Sequence, residues 1–116
     1  MKNRFQRYFT SLIKSLQKVD PYQIFVFGSA AHGNFSEDSD IDIAVILDTN
    51  YEHTSYDEKL ETRARVRDSI LDISFEVPID LLVYSKSEFY KLKEENPGFM
   101  KEIVERGKLL YEKPHS

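Results

Sequence analysis

The chain has 116 residues, 41% of them hydrophobic and 31% charged, enough for one compact domain over 1–116 with a single core. Its 16 basic and 20 acidic residues leave a formal charge of −4, which is not the footprint of a protein that lives on duplex nucleic acid, and its lack of cysteine excludes disulfides, thiolate metal sites and Cys nucleophiles. The N-terminus MKNRFQRYFTSLIKSLQKVD mixes charged with apolar groups, unlike a secretory leader, and no apolar run reaches the roughly 18 residues of a membrane span. The expected location is therefore the cytoplasm, away from the membrane.

Phe5, Tyr8, Phe9, Leu12, Ile13 and Leu16 repeat at the spacing of one helical face, and Pro21 supplies a stop, which predicts a helix over 3–19. Ile24–Phe27 is a short β-branched and aromatic run ending at Gly28 and reads as a buried strand. The polar stretch from Ser29 to Ser39, containing Gly33, must return the chain to a second strand, Asp40–Leu47, whose first half alternates polar and apolar and whose second half is wholly apolar. After a polar loop over 48–56, Ser55 and Glu58 have the spacing of a capping box for a helix running to about Ile73. Pro78–Tyr84 is a third strand, with proline at the first position, where a missing N–H does least harm. Ser85 and Glu88 form another capping box, for a short helix to about Glu94. Asn96 as N-cap, Pro97 at the first helical position and Gly107 as terminator bound a last helix, and Leu109–Tyr111 closes the chain as a short edge strand. There is no internal repeat, and no linker is long enough to separate domains.

Chemistry concentrates at the strand starts. Asp40 and Asp42 are two residues apart on a strand, so both carboxylates project from one face about 7 Å apart along the backbone. Asp80 stands early in the third strand, and if the two strands pair it joins them in one small pocket. Unit charges about 4 Å apart repel by roughly 4 kcal/mol near a protein surface, a cost relieved by protonation or by a cation. An all-oxygen site suits Mg²⁺ or Mn²⁺. Upstream, Gly28–Ser29 opens a tight turn whose backbone N–H groups are free to meet an anion, and Gly28 lets a phosphate approach the backbone closely. Carboxylates for a metal beside a phosphate cradle indicate in-line phosphoryl or nucleotidyl transfer.

Gly28–Ser29, ten intervening residues, Asp40–Ile41–Asp42 and a later strand-borne Asp80 together resemble the minimal nucleotidyltransferases of the polymerase β superfamily. The resemblance extends over nearly the whole chain, to the closing helix with Gly107 and Leu110–Tyr111. It implies an α+β, palm-like nucleotidyltransferase fold with a small mixed β-sheet and helices packed mainly on one face. It further implies that Asp40 and Asp42 bind two Mg²⁺ ions, that Asp80 binds the catalytic one and helps activate the acceptor, and that Gly28 and Ser29 hold the phosphates of ATP, with Ser39 counted among the nucleotide-binding residues. The implied reaction is AMP transfer from ATP to a hydroxyl on a small helical partner of the HEPN type, with the chain serving as antitoxin. The rivals are a small-molecule nucleotidyltransferase of the aminoglycoside kind, its pocket closed by homodimerisation, and a non-catalytic antitoxin that acts by contact. His32 stands where family members often carry Arg or Lys, before the second glycine of the turn, so a permanent positive charge is missing.

Other features read blandly. An isolated Asp-x-Asp is usually a solvated strand end, and only its company makes it a site. His32 is expected to be a turn histidine, and His53 and His115 carry no role. Arg63, Arg65 and Arg67 spread over two faces of a helix, with Glu61 and Arg65 at pairing distance in sequence, and are expected to be a solvated face. Phe5, Tyr8 and Phe9 are expected in the core, although some aromatics could be buried against a second chain.

Overall fold

In the computed structural model, residues 2–32, 40–49 and 55–114 are described, with side chains from Arg7 onward. The first amphipathic segment is α-helical over Lys2–Leu16 (α1) and tightens into a 3₁₀ turn over Gln17–Val19. Asp20, in the left-handed region at φ 53°, then turns the chain, its N–H donating to the Gln17 carbonyl at 3.1 Å. Pro21, expected only as a helix stop, is buried as the first residue of β1 (Pro21–Phe27), where no ladder N–H is demanded of it. The strand thus starts three residues earlier than its apolar run. Gln23, outside that run, sits opposite Glu112 and donates to it from Nε2 at 2.9 Å.

Gly28–His32 forms a 3₁₀ turn, and the chain re-enters the sheet as β2 (Ile41–Leu47). Helix α2 (Tyr56–Ser69) is capped by Ser55, whose Oγ accepts from the Glu58 N–H at 3.2 Å. The expected single helix to Ile73 is broken at Ile70 (φ −115°, ψ 14°), beyond which α3 (Leu71–Ser74) continues. Strand β3 (Ile79–Ser85) leads into α4 (Lys86–Glu95) through a complete capping box: Ser85 Oγ accepts from the Glu88 N–H at 3.2 Å, and Glu88 Oε1 accepts from the Ser85 N–H at 3.0 Å. Asn96 caps α5 (Pro97–Val104), and β4 (Lys108–Glu112) ends the fold as an edge strand.

The four strands lie in the order β3-β2-β1-β4, with β2 and β3 parallel and the other pairs antiparallel. This is the expected small mixed sheet of an α+β fold. Alternation along the strands supplies two apolar faces. On one, Ile24, Val26, Ile43 and Val45 pack with Leu12 and Leu16 of α1, Val66 of α2 and Ile73 of α3. On the other, Phe25, Ala44 and Ile46 pack with Phe89 of α4 and with Met100 and Ile103 of α5. Helices therefore cover both faces, with the larger group, α1 to α3, on one, where most of the helices were expected, and α4 and α5 on the other. The second apolar strip needs its own cover, since each buried large side chain is worth about 1.5–3 kcal/mol. Phe89, 2% exposed, is the centre of that cover, with its ring 6.0 Å from that of Phe25 and 6.5 Å from that of Tyr84.

Gly107 ends the α5 segment where two backbones nearly touch. A Cβ there would come within 2.7 Å of the Val26 carbonyl oxygen and still closer to that of Ile103, so no larger residue lets α5 close onto β1. Among the described residues, no helix is long and apolar enough to cross a membrane.

Candidate active site

The parallel pairing of β2 with β3 sets Asp42 directly opposite Asp80. Neighbouring strands are about 4.8 Å apart, so two carboxylates on the same face are held side by side by backbone alone. The register is pinned where β2 begins, by the Ile41 N–H donating to the Pro78 carbonyl at 2.9 Å. Asp40 lies two residues before Asp42 and so projects to the same side. That side is the face on which Ala44 and Ile46 are buried under α4 and α5, whereas at this end Asp40 and Asp80 are exposed and Asp42 is half-buried. One strip of the sheet thus passes from carboxylate to apolar core along β2.

Burial raises the Asp42 carboxyl above its ordinary value, and the charges of Asp80 and Asp40 raise it further. Asp42 thus feels both of the other acids. Among the described residues, however, no three His, Asp or Glu side chains close on a common point as a finished metal cage. The carboxylates share one end and one face of the sheet without converging. Their chemistry fits a hard divalent cation: the donors are all oxygen, and a positive ion would relieve the repulsion that raises Asp42.

The turn that follows β1 reaches this end of the sheet from the other side. Phe27, the last residue of β1, pairs with Asp42. Gly28 then adopts φ +70°, where a Cβ is disfavoured, and its backbone lies so close to Asp42 that an added Cβ would collide with the Asp42 Oδ2. Ala30 and Ala31 are buried and hold the turn against the core, while Ser29 and His32 stay exposed. The structure therefore brings Gly28 to the acidic group and leaves Ser29 facing solvent in the same turn. Ser39 and Gly33 lie outside the described residues, as do His53 and His115. The glycine and acid motifs are visible in sequence, whereas the Gly28–Asp42 contact is not, because it depends on the antiparallel register of β1 with β2.

Other charges are paired with one another. At the opposite end of the sheet, Asp48 accepts from Lys113 at 2.8 Å and lies 3.0 Å from Lys86, and Lys113 also reaches Asp20 at 3.0 Å. Hydrogen bonds from the two lysines hold the Asp48 carboxyl below its ordinary value, and the Lys113 ammonium is pushed up to about 12. Arg63, Arg65 and Arg67 are exposed as expected, although Glu61 and Arg65 form no ion pair among the described residues.

The family model for the polymerase beta nucleotidyltransferase domain matches residues 10–116. A candidate protein adenylyltransferase of Methanocaldococcus jannaschii is 31% identical over 103 residues, covering 89% of this chain and 91% of its own length. Among solved structures, a toxin–antitoxin crystallised with AMP-PNP is similar at TM-score 0.56 and 22% identity, with 90% of this chain and 73% of that one covered. A candidate nucleotidyltransferase from Sulfolobus solfataricus is similar at TM-score 0.56 and 18% identity, with 92% and 82% covered. At these identities, the two structures speak for the fold.

Proposed function

The chain belongs to the polymerase beta nucleotidyltransferase family, and on that premise we propose that it transfers AMP from ATP to a hydroxyl on a partner protein. The single observation that carries this reading is the meeting of Asp42 with Asp80 across β2 and β3 beneath the positive-φ Gly28. Carboxylates suited to a cation adjoin a turn whose backbone admits a phosphate, which is what transfer from a nucleoside triphosphate requires. The relative from Methanocaldococcus jannaschii, named for transfer to protein, supports a protein acceptor, and the structure with AMP-PNP supports a toxin–antitoxin setting. The partner in this reading is a small helical HEPN-type protein of the cytoplasm, with this chain as its antitoxin.

Asp40, Asp42 and Asp80 would hold Mg²⁺. When bound, the cation supplies neutralisation of the triphosphate and of the charge that develops on it. The chain's own groups do the rest. The N–H groups around Gly28 and Ser29 receive phosphate oxygens, and Ser29 adds a hydroxyl donor. Asp80 accepts the proton as the acceptor oxygen bonds to the α-phosphorus. The bond from that phosphorus to the bridging oxygen breaks, and pyrophosphate leaves with the electron pair.

Labelled ATP, Mg²⁺ and the helical partner should give label on the partner with the wild-type chain. Asp80→Asn should lose at least 100-fold in transfer yet keep nucleotide affinity. Neutralisation of an unlabelled partner by Asp80→Asn would replace the enzymatic reading with neutralisation by contact.

A further inference from the structure

Strand β3 ends the sheet, and no described strand pairs with its outer edge. The Ile41 N–H bonded to the Pro78 carbonyl, with Ile41 opposite Ile79, means that even-numbered residues of β3 turn their backbone groups toward β2. The N–H and C=O groups of Ile79, Leu81 and Val83 consequently point outward. Along this edge runs a cavity of about 560 Å³. Its walls include Leu81 and Val83, which belong to one face of the sheet, and Leu82 and Tyr84, which belong to the other. Residues of both parities can share a cavity only at the edge of a strand, so the groove follows the unpaired backbone itself.

Its far wall is α2 and α3. Arg63 and Arg67, one helical turn apart, both line the groove, and among the described residues neither has an ion-pair partner. Leu71, 42% exposed, continues that wall. At the Ser85 end the edge is crossed by Lys59 and Glu88, 3.6 Å apart, from α2 and α4. The other end runs to Ile79, next in sequence to the exposed Asp80. Arg63 also lines the Val83 and Ser85 end, so its charge lies away from Asp80.

We propose that this groove is the docking site of the acceptor: an extended, acidic segment of the partner protein adds as a strand to the edge of β3 and places its hydroxyl residue at Asp80. Outward N–H and C=O groups supply sequence-independent hydrogen bonds, and the apolar walls take alternate side chains. Arg63 and Arg67 select carboxylates along the groove, in a chain whose overall charge of −4 otherwise repels acidic peptides. The acceptor assignment rests on the transfer reading above, whereas recognition of an acidic strand rests on the groove alone.

The test uses the full chain with a fluorescent hexapeptide bearing a tyrosine at one end and alternating valine and glutamate, alongside its lysine-for-glutamate counterpart. The acidic peptide should bind at least tenfold tighter than the basic one. The amides of Ile79, Leu81 and Val83 should gain hydrogen-exchange protection on binding. Arg63→Glu with Arg67→Glu, both at exposed positions, should erase the preference while Mg²⁺·ATP affinity is unchanged. Binding without protection of those amides overturns the proposal, and so does a wild-type chain that sediments as a dimer dissociated by the charge reversal, since a second copy would then occupy the edge. Docking of the peptide without label transfer from ATP would sink the transfer reading and leave the groove standing. Transfer to the partner with a KM untouched by the charge reversal would do the opposite.

Discussion

Asp42 and Asp80 are register partners on parallel strands, so the backbone itself holds two carboxylates one strand spacing apart on the same face. The folded state keeps the Asp42 carboxyl raised, mainly by burial and then by Asp80 and Asp40. In the metal-free protein a raised carboxyl favours folding only while protonated. The contribution of Asp42 to stability is therefore fully present below the unfolded value of 3.8 and is lost as pH rises through the higher folded value. Asp42→Asn should flatten that fall and raise the metal-free melting temperature at neutral pH by a few degrees, on the order of 1 kcal/mol or less. The same change should remove the stabilisation by Mg²⁺ seen in wild type and cost roughly 100-fold or more in transfer. Thermal melts from pH 4 to 8, with and without Mg²⁺, check it. An unchanged Mg²⁺ response in Asp42→Asn would take the metal away from this residue.

Gly28→Ala should do two kinds of damage. At φ +70° a side chain costs about 1–2 kcal/mol of strain, and the new Cβ meets the Asp42 carboxylate. Nucleotide affinity should fall at least tenfold, because the turn and the acid are displaced together. Truncating the acid separates the two effects: with Asp42→Ala the atom facing Gly28 is the Asp42 Cβ position at 3.7 Å, an ordinary contact. The double variant should therefore be more stable than the sum of the single changes predicts, while remaining inactive. Strict additivity in denaturant melts would mean that Gly28 and Asp42 do not press on each other.

Much of this site is legible in the sequence, and the reason is local. The period-2 pattern of Asp40, Asp42 and Ala44 assigns a face, and Gly28–Ser29 after an apolar run marks a strand-to-turn junction. The Ser85–Glu88 capping box and the Asn96–Pro97 start are likewise short-range devices, and both stand where their spacing puts them. What escapes depends on contacts between distant segments. Pro21–Gln23 joins β1 only because β2 and β4 pair with it, and the second helical layer exists because Phe25, Ala44 and Ile46 line up across two strands. The break at Ile70 has no Gly or Pro to announce it. Arg63 and Arg67 look like a solvated face in sequence because the unpaired edge of β3 beside them is a property of strand order, which no single segment encodes.

The acid limb of stability should belong to Asp48. Hydrogen bonds from Lys113 and Lys86 depress its carboxyl, so its contribution is present above the unfolded value of 3.8 and is lost as pH falls through the lower folded one. Lys113, raised from 10.5 to about 12 by Asp48 and Asp20, contributes below 10.5 and loses that contribution as pH climbs toward 12. Asp48→Asn should flatten both limbs without changing nucleotide binding, since the cluster lies at the opposite end of the sheet from Gly28. Urea melts at pH 3 to 5 and at pH 10 to 12 read the two windows. A variant that keeps the wild-type slope in both would show these ion pairs to be energetically idle, as partly exposed pairs sometimes are.

His32 closes the turn that Gly28 opens, and it is exposed, while Ala30 and Ala31 between them are buried. A longer cation at this position can therefore swing toward a bound triphosphate without disturbing the core. His32→Arg should strengthen ATP binding by about fivefold at low ionic strength, the equivalent of roughly 1 kcal/mol for a charged contact near the surface. The gain should shrink as salt is added, because an exposed contact is screened over about 10 Å at 0.1 M. AMP lacks the β- and γ-phosphates and should gain less than ATP. Calorimetric titration of both nucleotides at low and physiological salt decides it: equal gains for AMP and ATP would place position 32 away from the triphosphate, and the cradle would then have to be sought on the far side of Ser29.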